Sequence, residues 1–352
     1  MFQNIRYQSD IQNEKFKAEK RYILFIAEKS KYMYNFIKEQ DKQLYGAIFP
    51  QVIFDDTNYD SGCVICEISD STNITLIENI SNDFDVIIED EIENAKTIFT
   101  IVDGSSEDIQ LFLENLYETT TPESSIIGGG AGLLTLEQEP VIFSSKGIYK
   151  NAALLVYGLK EINLGVQHGW EMLSGPYIST KTEKNILKTI NYETAFDLYK
   201  KVVEEDSQKI FDNTNFFEIA KEYPLGIHVS NGELVVRDPI VTQNGELVLV
   251  GEMDQNSIIY ILKGNKKNLI NSAGLAIDEA VDNNPNDIET TLVIDCISRV
   301  LYLEDDFSQE IKAIKSKVPA CQLFGALTLG EIANKGKQYI EFYNKTCVIA
   351  VI

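Results

Sequence analysis

Few residues in this chain are equipped for chemistry. Two histidines, His168 and His228, are the only imidazoles in 352 residues, and the single tryptophan, Trp170, stands two positions after the first. In a loop, a large aromatic ring beside a titratable one either walls a pocket or plugs a gap while the histidine bonds the backbone. Arg299 follows the apolar run 292–296, at the carboxyl end of an expected strand, where α/β sheets commonly place ligand contacts. Its planar guanidinium can grip a carboxylate or phosphate through two parallel hydrogen bonds. Glu331 comes just after Gly330, Asn344 introduces the last strand, and Arg237 ends another strand before Asp238-Pro239. An arginine and a glutamate in one cavity suit a zwitterion such as an amino acid. The alternative is an Arg299–Glu331 ion pair that ties two strands together.

A second group of candidates is made of backbone. Residues 128–132 read GGGAG, and such a run lets amides approach a ligand or another strand closely. Gly129 and Gly130 are therefore candidate ligand contacts or close-packing positions. Neither a G-x-x-x-x-G-K-[ST] loop nor a G-x-G-x-x-G fingerprint is present, so nucleotide folds lack their context. Cys63 and Cys66 form C-V-I-C, but residues three apart on a strand face opposite ways, and no second pair stands nearby to complete a metal site. The motifs H-E-x-x-H and G-x-S-x-G are missing, and nothing in the sequence brings Cys296 to His168 as a thiol–imidazole pair. No catalytic residue and no metal ligand is assigned on these grounds.

The elements that must position these residues repeat. Three phrases, LYGAIF at 44, IIGGGAG at 126 and LFGALTLG at 323, are each preceded by a strand and a helical stripe and followed by further strands. The unit is strand, helix, strand, glycine turn, strand. Its helices are marked by Met33, Phe36 and Ile37, then Ile109, Phe112, Leu113 and Leu116, then Phe307, Ile311, Ile314 and Val318. Residues 1–20 are expected to be a polar lead-in, 84–88 an edge strand or loop, and 339–342 and 346–352 a pair of strands. Between the second and third copies lie material outside the repeat, an inter-domain joint at 207–221, hairpin signals at 231–232 and 244–245, and a helix ending near 282–285. The fold class is α/β with α+β character: two related domains, 20–221 and 222–352, with mixed sheets flanked by helices.

Charge narrows the partners. Lys and Arg number 31 against 54 Asp and Glu, a formal charge of -23, which argues against non-specific nucleic-acid and anionic-membrane binding. No stretch approaches the roughly twenty apolar residues of a spanning helix, so a soluble, cytoplasmic protein is expected.

Several phrases in order carry a resemblance to the FIST family (F-box and intracellular signal transduction proteins) over about 20–352. They are IGGGAG at 127, NAALLVYGL at 151 and HGWEMLSGPYIST at 168, then VVRDPI at 235, DCISR at 295, LFGALTLGEI at 323 and FYNKT at 342. The first part is similar to the FIST N-terminal domain and the second to the FIST C-terminal domain. The resemblance implies a sensory, small-ligand-binding module in signal transduction, not an enzyme, with amino acids or related metabolites among its ligands. The implied partner is a separate kinase, chemoreceptor or cyclic-dinucleotide protein. It carries over His168, Gly169, Trp170, Arg299, Gly330, Glu331 and Asn344 as family-pattern positions. No cofactor is expected, the alternative being haem b on His168 in a nitric-oxide sensor; an enzyme of unknown reaction is a third class. The chain departs from the family where GAIFPQVIFD at 46–55 replaces a polar phrase after the first glycine turn.

Overall fold

The computed structural model describes residues 1–352 except 39, 41, 82–89, 230, 231, 283–287 and 336–338. The expected features at 84–88, 231 and 283–285 fall outside the described residues. The repeat is the basis of the architecture. Each unit has an opening strand (Arg21–Ala27, Thr97–Asp103 or Thr290–Cys296) and a second strand parallel to it (Gln43–Phe49, Ser125–Ala131 or Gln322–Thr328). A closing strand (Cys63–Ile68, Ala153–Gly158 or Cys347–Val351) runs antiparallel to the opening strand. Each closing strand in turn pairs with an edge strand, Phe2–Gln8, Asn73–Ile77 or Asn163–Gln167. The result is three six-stranded mixed sheets of one topology, flanked by helices, which is the α/β class expected.

Between second and closing strands each unit makes a two-stranded excursion, and none of the three stays at home. The first unit's pair, Gln51–Phe54 with Thr57–Tyr59, joins the third unit's second strand. The second unit's pair, Ile142–Ser144 with Gly147–Tyr149, joins the first unit's. The third unit's pair, Glu331–Ala333 with Glu341–Tyr343, joins the second unit's. The exchange is cyclic. One core runs through all three units: Phe25 packs 5.8 Å from Phe99 and 6.3 Å from Phe324, ring centre to ring centre, and Phe2 touches both of the latter.

The repeated glycine has one cause in all three copies. Gly46, Gly128 and Gly325 sit in the second strands, opposite Leu24, Thr100 and Val293 of the opening strands. A Cβ there would lie 2.0, 1.8 and 1.7 Å from the facing carbonyl oxygen. The phrases expected to be glycine turns are therefore strands, and glycine is required because two backbones approach closely.

Other expectations need correction. Residues 1–20 begin with an edge strand, not a lead-in: Phe2 and Ile5 are buried in the core. The last two strands pair with Glu331–Ala333 and Thr290–Cys296, not with each other. The third crossover is two helices, Ile297–Leu303 and Phe307–Lys317, parted at Glu304, whose φ is +56°.

Between the edge and opening strands of the third unit is an inserted antiparallel sheet, 168–265. Its strand order is Leu234–Arg237, Leu225–His228, Ile258–Lys263, Glu171–Glu183, Ile186–Ile190, Glu246–Leu249, Pro239–Gln243. Helices Ala195–Ser207 and Phe216–Ala220 cover one face through Tyr199, Val203 and Phe216. The two outer strands are consecutive in the chain and joined by Asp238 alone, so the sheet curls until its edges meet. The boundary expected at 221–222 falls inside this sheet. Helix Lys266–Val281, capped by Asn265 and buried through Leu269, Ala273, Ala276 and Ile277, then leads back to the third unit.

Candidate functional site

A cavity of about 360 Å³ opens where the inserted sheet meets the second and third units. The second unit supplies the segment after its opening strand, Gly104 to Gln110, and Leu134 and Leu136, which are half exposed at the mouth. The third unit supplies Cys296 to Ser298, Leu329, Gly330, Phe342 and Asn344. The inserted sheet supplies Arg237 and Asp238, at the point where its edges meet, together with Ile240 and Leu249 to Glu252. The wall is mostly apolar with a few polar groups, the usual composition of a small-molecule site.

Those polar groups are unequally satisfied. Asp238 is fully buried; its Oδ2 accepts from Ser298 Oγ at 2.7 Å and its Oδ1 lies 3.2 Å from Lys345 Nζ. Burial pushes its carboxyl upward, and the lysine works against this. Glu107 and Lys184 pair across the mouth at 2.7 Å. Arg237 is 6% exposed and donates Nε to Glu252 O at 2.7 Å and Nη1 to Val236 O and Phe342 O at 3.1 and 2.9 Å. Among the described residues its Nη2 has no hydrogen-bond partner, and no carboxylate forms an ion pair with it. Asn344 donates Nδ2 to Tyr343 O at 2.9 Å, which fixes the amide and leaves its buried Oδ1 without a donor.

Of the seven residues expected at a site, Asn344 alone lines this cavity. Arg299 is fully buried in a closed network. Its Nε reaches Glu310 Oε1 at 2.8 Å and Asp295 Oδ1 at 3.2 Å, Nη1 donates to His168 O and Lys345 O, and Nη2 to Leu269 O. The shared cavity or ion pair expected with Glu331 does not form; Glu310 and Asp295 take that place. Glu331 is buried nearby, accepting from Thr328 Oγ1 and Thr346 N, and burial pushes its carboxyl up to about 8.

Trp170 plugs the junction: Nε1 donates to Lys345 O at 2.9 Å, the ring packs 5.3 Å from Tyr302, and Lys345 Nζ lies 5.0 Å over it. His168 Nδ1 accepts from Trp170 N at 3.0 Å. Burial, with Arg299 and Lys335 nearby, lowers its pKa to about 4, so the ring is neutral. Neither His168 nor His228 lines this cavity. Gly129 and Gly130 pack strand against strand. Gly130 N donates to Gly330 O, Leu329 N donates to Gly130 O, and a Cβ on Gly130 would stand 2.5 Å from Leu329 O.

The sequence reading passed over Arg237 as a site because only its position before Asp238-Pro239 was visible. The fold adds what the spacing could not show, that the inserted sheet curls and presents this residue to the third unit. Asp295, Glu310 and Cys347 bring possible metal-ligand atoms within 4.8 Å of one another. The Arg299 guanidinium already occupies the place a cation would take between the two acids. Burial and the Glu310 charge push the Asp295 carboxyl well up.

Among the described residues no helix is long and apolar enough to cross a membrane. Comparison with curated proteins returned no similar chain. The FIST N domain profile matches residues 23–193 and the FIST C domain profile residues 195–334. FIST domains are generally sensory modules for small molecules, typically non-catalytic, and commonly occur in multidomain signalling proteins with kinases or chemoreceptors. With both domain profiles matched in order along most of its length, the chain belongs to the FIST family.

Proposed function

We propose that this protein senses a small metabolite, an amino acid or a related compound, in the cavity between the inserted sheet and the second and third units. The observation that carries this reading is the composition of the wall, drawn from the inserted sheet and from two of the three units. A ligand seated there touches both the curled edge of the inserted sheet and the three-unit core. Its binding energy therefore depends on how the two are placed, which is what a sensor needs in order to convert occupancy into a change of shape. The connections at 167–170 and 263–265 are the hinge. Gly169, at φ +76°, lies against helix Lys266–Val281, and a Cβ on Gly264 would meet Trp170 at 2.5 Å. A separate kinase, chemoreceptor or cyclic-dinucleotide protein reads the result.

A panel of metabolites scored by thermal unfolding tests this directly, since a ligand selective for the folded state raises the melting temperature. At least one compound should stabilise the protein, and Ile240→Trp, which fills the cavity, should abolish the effect. If no compound stabilises the protein, or if the stabilisation survives Ile240→Trp, the site is not here.

A further inference from the structure

Resting on that reading, we infer that the ligand bears a carboxylate, or another planar oxyanion, on an apolar body, and that Arg237 Nη2 is the group that recognises it. Three observations converge. The guanidinium is more than nine-tenths buried at the cavity wall, and Nε and Nη1 are held by three backbone carbonyls, which fixes the plane of the fork. Nη2 is left over, with no acceptor among the described residues. No carboxylate neutralises the charge within ion-pairing distance, in contrast to Arg299, where two do.

A buried cation is costly to hold without a close counter-ion, and Glu341, Asp254 and Glu252 favour this charge only from beyond ion-pairing distance. A ligand oxyanion would supply the missing charge and the missing acceptor together, through a hydrogen bond strengthened by charge on both sides. The other charged groups of the wall are otherwise engaged or placed at the mouth. Asp238 is held by Lys345 and Ser298, and Glu107 by Lys184. Glu252 gives its backbone carbonyl to Arg237 Nε. The rest of the wall, including Ile109, Leu134, Ile240, Leu301 and Phe342, suits a hydrocarbon body.

The test compares acids with their neutral amides on the full chain by titration calorimetry: isovalerate with isovaleramide, benzoate with benzamide, phenylacetate with phenylacetamide. At least one acid should bind at least about tenfold more tightly than its amide. That preference should fall by about the same factor in Arg237→Met. The comparison on the unaltered protein stands even if the variant folds poorly. Equal affinities for acid and amide, or an unchanged preference in Arg237→Met, would overturn the inference and leave an arginine satisfied by water. Failure of every acid to bind would overturn it as well. Amide binding that Ile240→Trp blocks removes the oxyanion and keeps the cavity as the site; binding untouched by Ile240→Trp removes both.

Discussion

Arg299 and Arg237 are both buried, and both lie where the inserted sheet meets the core, yet their surroundings are opposite. Arg299 has two carboxylates and three backbone carbonyls around its three nitrogens. Those carbonyls belong to His168 at the start of the inserted segment, Leu269 on the helix after the inserted sheet, and Lys345 before the last strand. Arg237, which lines the cavity, has carbonyls on two nitrogens, no carboxylate within ion-pairing distance, and no acceptor on its third nitrogen among the described residues. A complete shell makes an arginine a fastener; an incomplete one leaves it able to receive a partner. The sequence alone singled out Arg299 because it follows a strand. The deciding variable is what surrounds the guanidinium, and that is a property of the fold.

The sharpest way to break the comparison is to remove Arg299. Arg299→Leu leaves Asp295 and Glu310 buried without their cation and frees the His168 carbonyl, so a loss of about 3–5 kcal/mol in denaturant unfolding is expected. A loss as small as that of a surface substitution would show that the network does not fasten the inserted segment to the core.

The next effect comes from Glu331, which is fully buried. Its carboxyl keeps its proton in the folded state up to about pH 8, whereas the unfolded chain releases it near the ordinary glutamate value. The folded state therefore binds more protons across that window, and stability falls as pH rises through it. Comparing Glu331→Gln with the unaltered protein across the window should expose a slope of up to about 1.4 kcal/mol per pH unit, present only where the glutamate is. Parallel curves for the two proteins would place the titration elsewhere.

Arg237→Met should cost less stability than Arg299→Leu, about 1–3 kcal/mol, since it loses hydrogen bonds to carbonyls and strands no carboxylate. A larger loss than that of Arg299→Leu would reverse the assignment of fastener and receiver. Smallest of all is Lys184→Gln at the cavity mouth. Its pair with Glu107 joins two exposed side chains, so less than about 1 kcal/mol is expected in the same unfolding measurement.

Much of the fold was legible because its signals are local and repeated. The stripe Ile109, Phe112, Leu113 and Leu116 is the buried face of helix Ile109–Thr119, and the three glycine phrases mark three equivalent strands. What the glycines do was not legible, because the carbonyl each one approaches lies on another strand. Phe2 and Ile5 were missed since a short edge strand with polar neighbours resembles a tail; the closing strand beside it buries them. The exchange of strand pairs left no trace in the pattern, as a strand's sequence does not say which sheet it joins. The site was read only in part. Asn344 lines the cavity, whereas His168, Trp170, Arg299 and Glu331 became parts of the joint. Rarity and proximity in sequence pointed to places under structural constraint, and both joints and pockets are constrained.

The cyclic loan of strands has a consequence for how the molecule can come apart. Each third of the chain completes a neighbour's sheet and relies on the other neighbour to complete its own, as three people seated in a ring each lean on the next. Severing the covalent links between thirds would leave pieces that must find one another to acquire structure at all, in the manner of an obligate trimer written on a single thread. Melting should therefore be a collective event for the three sheets. The inserted sheet takes no strand from the ring and lends none to it.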